Sequence, residues 1–242
     1  MNPELGRTAP SRWHRSLAWL GGILVTYLVI AYVILPLGWR TDEKKHLHFS
    51  DVERITLAAN GIPGDPINLA LVGSKEDVIL GMTRAGWVPA DPITFDSSLR
   101  IAVDSVFRKP DPEAPVSALY LFGRKQDLAF EKPIGNSPRQ RHHVRYWLWN
   151  REEDGRPVWF GSATLDERVG LSHTTGQITH HIGPDVDAER DLVAQDLQKA
   201  GWVQKLEWKD HFHPQLEGRN GGGDLWKTDG RLEIVYLKPP TP

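Results

Sequence analysis

The stretch INLALVGSKEDVILGMTRAGWV, residues 67–88, predicts a strand followed directly by a helix. Ile67–Val72 is an apolar run of strand length that ends at a glycine and a serine. Ser74 and Asp77 have the spacing of a capping box, and apolar residues then recur at helical spacing. Gly86 can adopt the left-handed conformation that ends many helices. This strand and helix are the organising unit of the predicted domain.

A second unit of the same kind occurs near the other end of the chain. Ile178–Ile182 predicts a strand, Asp185 or Asp187 can cap a helix, and an apolar helical pattern ends at Gly201. The tetrapeptide AGWV stands at residues 85–88 and again at 200–203. The repeated order favours an internal duplication. The alternative is that AGWV is an ordinary helix end followed by a strand start.

Most of the other predicted elements are strands. Alternating or apolar runs predict them at 99–107, 116–122, 143–149, 158–165, 202–208 and 232–237. Prolines and an Asp-Gly pair mark turns between them. Two helices with many strands predict an α+β domain of mostly antiparallel sheet, with both helices packed on one sheet.

A long apolar stretch precedes this domain. Residues 17–39 read LAWLGGILVTYLVIAYVILPLGW and contain no charged side chain. At about 1.5 Å per residue, a helix of this length reaches roughly 35 Å, enough to cross the hydrocarbon layer of a membrane. A cleaved signal peptide is the alternative, but no small-residue cleavage site follows the run. The sequence therefore predicts a tail (1–16), a transmembrane helix (17–39), a connector (40–50) and a folded domain (51–242).

The charges beside the apolar stretch do not decide its orientation, because basic residues flank it in similar numbers. A short basic tail before a first span usually stays inside, and a long domain crosses regardless of its own charge. We therefore expect a single-pass protein with a cytoplasmic tail and an extracytoplasmic domain. The absence of cysteine is compatible with an oxidising compartment.

Composition and missing motifs exclude several function classes. The net charge is −2, so nonspecific nucleic-acid binding, which needs a basic face, is not expected. The sequence contains no HExxH, GxSxG or GxxxxGK motif and no cysteine nucleophile. No motif requires a cofactor. A divalent metal held by His143 and His181, with Asp166 or His173, remains an open alternative without a metal-binding spacing to support it.

Residues 139–145, RQRHHVR, form the strongest candidate binding site. In a strand, Arg139, Arg141, His143 and Arg145 lie on one face by period-two geometry. Guanidinium groups hold phosphate or carboxylate through paired N–H donors, so this face is expected to bind an anion. The alternative is a solvated outer face whose charges pair with nearby acidic residues.

A second group of candidates is suited to proton transfer. Asp166, His173 and His181 are the candidate catalytic residues, because histidine transfers protons near neutral pH and a carboxylate can orient its ring. Strand alternation places His180 with Ile178 and Ile182. We therefore expect His180 to be the core histidine and His181 to be the functional one.

Several ordered motifs resemble the LssY C-terminal domain family. They are DPINLALVGS (65–74), AGWV (85–88), LYLFGRKQDLAFEK (119–132), RQRHHVRYW (139–147) and ITHHIGPDVDAERD (178–191). The resemblance covers roughly residues 51–210. It implies a bacterial inner-membrane or envelope setting, since relatives often attach this domain to multispan regions resembling PAP2 lipid phosphatases or DedA proteins. It implies no activity, and no PAP2-type phosphatase motif is present here.

Three functions follow as expectations. The first is a membrane-anchored envelope domain that binds an anionic ligand, such as a lipid phosphate or a glycolipid, through the arginine face. The second is a phosphoester or related hydrolase that uses the Asp/His cluster. The third is a scaffold that binds other envelope proteins, whose identity the sequence does not indicate.

Overall fold

A computed structural model describes residues 12–35, 54–59, 61–90, 118–135, 140–174, 176 and 178–239. The predicted strand at 99–107, Arg139 and the whole predicted connector (40–50) lie outside these ranges. The helices are α1 (Arg12–Val29), which continues as a π-helical segment (Ile30–Ile34), α2 (Lys75–Arg84) and α3 (Val186–Lys199).

The described residues contain fourteen strands besides the helices. They are β1 (Ile55–Ala58), β2 (Pro63–Pro66), β3 (Leu69–Val72), β4 (Val88–Pro89), β5 (Leu119–Leu121), β6 (Arg124–Lys125), β7 (Leu128–Pro133), β8 (Arg141–Glu153), β9 (Arg156–Leu171), β10 (Ile178–Ile182), β11 (Val203–Lys209), β12 (Glu217–Arg219), β13 (Leu225–Lys227) and β14 (Leu232–Leu237).

The strands form one large sheet and two small ones. The eight-stranded sheet has the order β11-β14-β3-β9-β8-β7-β4, with β10 also paired to β9. Its pairs are antiparallel except for β14 with β3. A four-stranded sheet has the order β2-β1-β5-β6, and β12 pairs with β13. The predicted α+β class with mostly antiparallel sheet is confirmed.

The local signals in residues 67–88 have the predicted structural roles. The Ser74 side chain accepts from the Asp77 backbone N–H, and the Asp77 carboxylate accepts from the Ser74 backbone N–H, so the capping box is formed. Gly86 has a φ of 84° and ends α2 as expected. Gly201 ends α3 in the same way, with a φ of 72°.

The two AGWV segments are placed similarly. The strands that follow them, β4 and β11, form opposite edges of the large sheet. The Trp87 indole N–H donates to Asp196 on α3, and the Trp202 indole N–H donates to the backbone carbonyl of Asp77 on α2. Each tryptophan therefore follows the C-terminal end of one helix and donates a hydrogen bond to the other helix. An internal duplication stays a prediction.

Two hydrophobic cores lie on opposite faces of the large sheet. The first packs α2 and α3 on the sheet through residues such as Val78, Met82, Val193 and Leu197. The second fills the space between the other face and the small β1–β2–β5–β6 sheet, and includes Trp147. Because β8 belongs to both cores, the side chains of its first half, residues 141–147, are covered on both faces. This position determines the environment of the candidate binding residues.

The N-terminal helix exposes much of its apolar surface. Leu20, Ile23 and Val25 are 64%, 63% and 60% exposed. Tyr27 Oη donates to the backbone carbonyl of Gly176, and Ala31 is buried beside the same glycine. Within the described ranges, no helix combines the length and the apolar character needed to cross a membrane.

Candidate functional site

A cavity of about 350 Å³ opens between the small sheet, β9, β10 and the loop before β13. Its polar lining includes Asp65, Arg145, Asp166, Thr179, His180 and Asn220. Apolar side chains from β1, β5 and their flanking turns, including Ala58 and Leu119, complete the wall. A concave site with few convergent polar groups is typical of small-ligand binding.

The register of β8 and β9 brings the candidate residues of the two clusters together. Arg141 pairs with Asp166, His143 with Thr164, and Arg145 with Ser162. Residues directly opposite each other in an antiparallel pair share a face of the sheet, so these six side chains form one polar face. Each of them is at most 7% exposed. The alternative is therefore wrong about solvation, but its pairing with nearby acidic residues is present.

The prediction of an open cationic face is also wrong, because acidic side chains balance the charges of its arginines. Arg141 donates through Nε to Asp166 at 3.0 Å and through Nη1 to Glu131 at 2.8 Å. Arg145 Nη1 lies 3.5 Å from Asp65 Oδ2. Buried charges need such partners, because desolvation alone would be costly. Among the predicted ligand-binding residues that the structure describes, Arg145 lines the cavity, whereas Arg141 and His143 are held in the sheet behind it.

His143 is completely buried, and neither ring nitrogen makes a hydrogen bond. Its Nδ1 lies 4.0 Å from Asp166 Oδ2. Burial lowers the pKa of His143 well below its ordinary value, and Arg145 and Arg141 lower it further. The ring is therefore neutral, and it contributes no positive charge for an anion.

The expected burial of the two adjacent histidines is reversed in the structure. His180 is half-buried, lines the cavity, and its Nε2 lies 3.4 Å from Arg141 Nη2. His181 is only 2% exposed. The register of β10 on β9 is regular up to His181 and shifts only after it. The expectation was wrong because His180 and Ile182 line the cavity, whereas His181 is buried beside Asp224.

Asp65 is a site residue that the sequence reasoning missed. It is 6% exposed, and the Asn220 amide donates to its Oδ1 at 3.0 Å. Burial raises the pKa of Asp65, while Arg145 and Asn220 act in the opposite direction. Asp65 is the first residue of the DPINLALV run. An acidic residue directly before an apolar strand was the sequence feature that could have indicated a site residue here.

A second polar cluster lies next to the cavity. His181 Nδ1 is 2.6 Å from Asp224 Oδ1, and the His173 and His181 rings are 4.9 Å apart. The backbone N–H of His173 donates to the carbonyl of Gly222, which lines the cavity. The three predicted catalytic residues are therefore divided, with Asp166 in the cavity and the two histidines behind the glycine loop beside Asp224.

Two of the glycines at 221–223 are required by close packing. A Cβ at Gly221 would lie 2.7 Å from Ile62 Cγ2 and 2.9 Å from the carbonyl of Pro63. Gly223 has a φ of 86°, and a Cβ there would lie 2.7 Å from His173 Cβ. The loop therefore forms a fitted wall between the cavity and the His173–His181–Asp224 cluster.

The N-terminal helix lies on the same side of the domain as this wall. The Gly176 carbonyl accepts from Tyr27, and the Gly176 N–H donates to the carbonyl of Ser172. Ser172 lines the cavity. Just before it, Val169 and Leu171 are 47% and 56% exposed. An apolar surface thus borders the part of the domain that contains the cavity.

The cavity combines groups that can bind and groups that can transfer protons. Arg145 and Asn220 can donate hydrogen bonds, and the carboxyl groups of Asp65 and Asp166 lie in the same lining. Because burial raises the pKa of Asp65, one of these carboxyl groups holds a proton more readily than a free aspartate does.

The comparison with known families agrees with the sequence motifs. A family model described as LssY C-terminus matches residues 49–232, which is more than half of the chain. A search of curated proteins and a search of solved structures found no match. The chain therefore belongs to the LssY C-terminus family.

Proposed function

We propose that this protein is a membrane-anchored envelope domain that binds the anionic headgroup of a lipid or glycolipid in its cavity. The observation that carries the proposal is the position of Arg145, a buried arginine that lines an open cavity.

Membrane attachment is supported by the apolar surface. Residues 17–39 carry no charge, and large apolar side chains of the helix are more than half exposed at Leu20, Ile23 and Val25. Exposed apolar surface of this extent is costly in water and is typical of membrane or protein contact. We place the helix in the bacterial inner membrane and the domain outside the cytoplasm, in accord with the short basic tail before the helix.

The ligand chemistry follows from the donors of the cavity. The Arg145–Asp65 distance of 3.5 Å is longer than a direct charge-assisted hydrogen bond. An anionic group that enters the cavity can therefore compete for the guanidinium. The raised pKa of Asp65 favours anion binding, because protonation of Asp65 removes the competing negative charge. Asn220 adds a neutral donor beside the same carboxyl group.

The test is the binding of a soluble short-chain phosphatidic acid to the full-length protein in a neutral detergent. Arg145→Gln should weaken binding by at least about tenfold, in the range expected for a lost charge-assisted hydrogen bond. The matched control is Arg151→Gln, because Arg151 is exposed on the same strand. Equal affinity of the Arg145 variant and the wild type would refute the proposal.

Arg145 is buried, so its variant must be shown to fold by its circular dichroism and melting temperature. Asn220→Ala provides a milder second variant, because Asn220 contributes one side-chain donor to the cavity. It should weaken binding by a few-fold while the domain stays folded. A neutral short-chain lipid such as a diacylglycerol should bind more weakly than the phosphatidic acid to the wild type.

A hydrolase is the second candidate, and one observation favours it. Asp65, with its raised pKa, and Asp166 line the same cavity, which is the pattern of a general acid beside a general base. The test is turnover of phosphoester and glycoside substrates by the full-length protein. Both Asp65→Asn and Asp166→Asn should abolish any activity found. Activity that survives both substitutions would place the reaction elsewhere.

A further inference from the structure

We propose that His173, His181 and Asp224 bind a divalent transition-metal ion, with zinc as the best match to the ligands. Each residue offers one donor atom, and the three donor atoms lie within 4.8 Å of one another. The residues come from the loop after β9, from β10 and from the turn before β13. The cluster is distinct from the lipid-binding cavity, and the inference does not depend on the function proposed for that cavity.

The geometry of His181 and Asp224 is the second observation that points to an ion. His181 is 2% exposed, and its Nδ1 lies 2.6 Å from Asp224 Oδ1. An ion held by both residues would bind Nδ1 and replace the proton of this hydrogen bond, because metal ligands must be deprotonated. The His173 ring lies 4.9 Å from the His181 ring and supplies the third donor.

At two glycines, the backbone packs closely against these ligands. A Cβ at Gly170 would lie 2.8 Å from His181 Nε2, and a Cβ at Gly223 would lie 2.7 Å from His173 Cβ. Arg168 borders the space beside Gly170, but its side chain is exposed and can turn toward solvent. Two close approaches to two of the three ligands show that the backbone is fitted around them.

The donor set indicates the class of ion. Two imidazoles and one carboxylate match zinc sites in which three protein ligands leave one position for water. Hard ions such as magnesium and calcium prefer oxygen ligands only. In a tetrahedral site with bonds of about 2 Å, the donor atoms are roughly 3.3 Å apart. Small side-chain rotations from the present separations are enough to reach that distance, and His173 is exposed and can make them.

Such an ion would join three segments around the cavity wall. It would connect the loop that contains Ser172 and His173 to β10 and to the turn after Gly222. Ser172 and Gly222 themselves line the cavity. The ion would therefore fix the wall that separates the cavity from solvent on this side.

The experiment measures metal directly, with no lipid present. Full-length protein in detergent is stripped with a chelator, titrated with Zn²⁺ against a chromophoric competitor, and analysed for bound metal. We expect one Zn²⁺ per chain. With Co²⁺ as the probe, we expect the visible absorption bands of a four-coordinate site.

His173→Asn should lower the Zn²⁺ affinity at least tenfold and remove the Co²⁺ bands, because one of three protein ligands is lost. His173 is exposed, so the fold should tolerate this change. The control is His211→Asn, since His211 is also exposed and asparagine tolerates its φ of 56°. Asp224→Asn is a second ligand variant and should also weaken binding.

Two results would overturn the proposal. The first is the absence of stoichiometric Zn²⁺ or Co²⁺ binding by the wild-type protein. The second is an unchanged affinity in the His173 variant. Neither outcome depends on lipid binding, so a failure here is distinguishable from a failure of the headgroup site.

Discussion

Arg145 Nη1 lies 3.5 Å from Asp65 Oδ2, and both side chains are less than 10% exposed. This pair couples the charge of the cavity to pH. The pKa of Asp65 is raised by burial, so the carboxyl group gains a proton at a higher pH than a free aspartate does. Protonation removes the negative charge that competes with an anionic ligand for Arg145.

Anion binding should therefore weaken as pH rises through the raised pKa of Asp65. Above that pKa, each pH unit should reduce the affinity by up to about tenfold, because binding requires uptake of one proton. Below it, the affinity should level off. Binding of the short-chain phosphatidic acid is measured across this range, and inorganic phosphate is used in parallel because its own ionisation differs.

Asp65→Asn should remove most of this pH dependence and raise the affinity at neutral pH, since Arg145 then faces a neutral amide. The control is Asp127→Asn, which changes a carboxylate outside the cavity lining. A steep pH profile that persists in the Asp65 variant would assign the proton to another group.

Glu233 gives a separate prediction for stability. Burial raises its pKa from 4.5 to about 7, and Asp191 raises it as well. Below pH 4.5 the carboxyl group is protonated in both the folded and the unfolded protein. Between pH 4.5 and 7 the unfolded protein loses this proton first, so the free energy of unfolding falls with rising pH. The total loss is about 3 kcal/mol at most.

Glu233→Gln should therefore stabilise the protein at pH 8 relative to the wild type and have little effect at pH 4. Urea unfolding followed by tryptophan fluorescence measures both values. Glu152→Gln is the control, because Glu152 is exposed. A gain in stability that is equal at the two pH values would show that ionisation of Glu233 is not its cause.

Asn68 should be among the most costly side chains to remove. It is 0% exposed, its amide donates to the carbonyls of Ala163 and Val186, and its Oδ1 accepts from the Ala163 N–H. Asn68→Ala would leave three buried backbone groups without partners, which should cost about 3 kcal/mol or more. Asn150→Ala, at an exposed position on β8, should change the free energy of unfolding by less than about 0.5 kcal/mol. Similar effects of the two substitutions would contradict the role of Asn68.

Gly223 and Gly155 form a matched pair for the fit of the cavity wall. Both have a positive φ, 86° and 70°, but a Cβ at Gly155 would meet no atom within 4 Å. Gly155→Ala should cost about 1–2 kcal/mol from the left-handed backbone alone. Gly223→Ala should cost more, because its Cβ also collides with His173. Thermal unfolding measures the loss of stability in each variant. Equal losses would show that the 221–223 loop adjusts to the added Cβ without cost.

The features that the sequence predicts well are the local ones. The capping box at Ser74 and the glycine ends of α2 and α3 follow from short-range backbone rules. The polar face of β8 also follows from period-two geometry, because Arg141, His143 and Arg145 lie opposite alternate residues of β9 and share one face of the sheet.

The features that the sequence does not predict depend on distant pairing. Glu131 and Asp65 neutralise the arginines from β7 and β2, and nothing near residues 141–145 indicates either partner. The burial of the two adjacent histidines also depends on distant packing, because His180 lines the cavity while His181 packs beside Asp224. The position of Asp224 beside His181 could not be predicted, because Asp224 follows a glycine-rich run whose close packing is visible only in the structure.

The contact between Tyr27 and Gly176 has a consequence for membrane insertion. Along a helix, Tyr27 is about 15 Å from Leu17 and about 18 Å from Trp39, which is the middle of the proposed span. A polar loop cannot occupy the hydrocarbon layer at that depth. If the helix spans a bilayer as proposed, its contact with Gly176 must therefore break, so the docked helix and the fully inserted helix are mutually exclusive states.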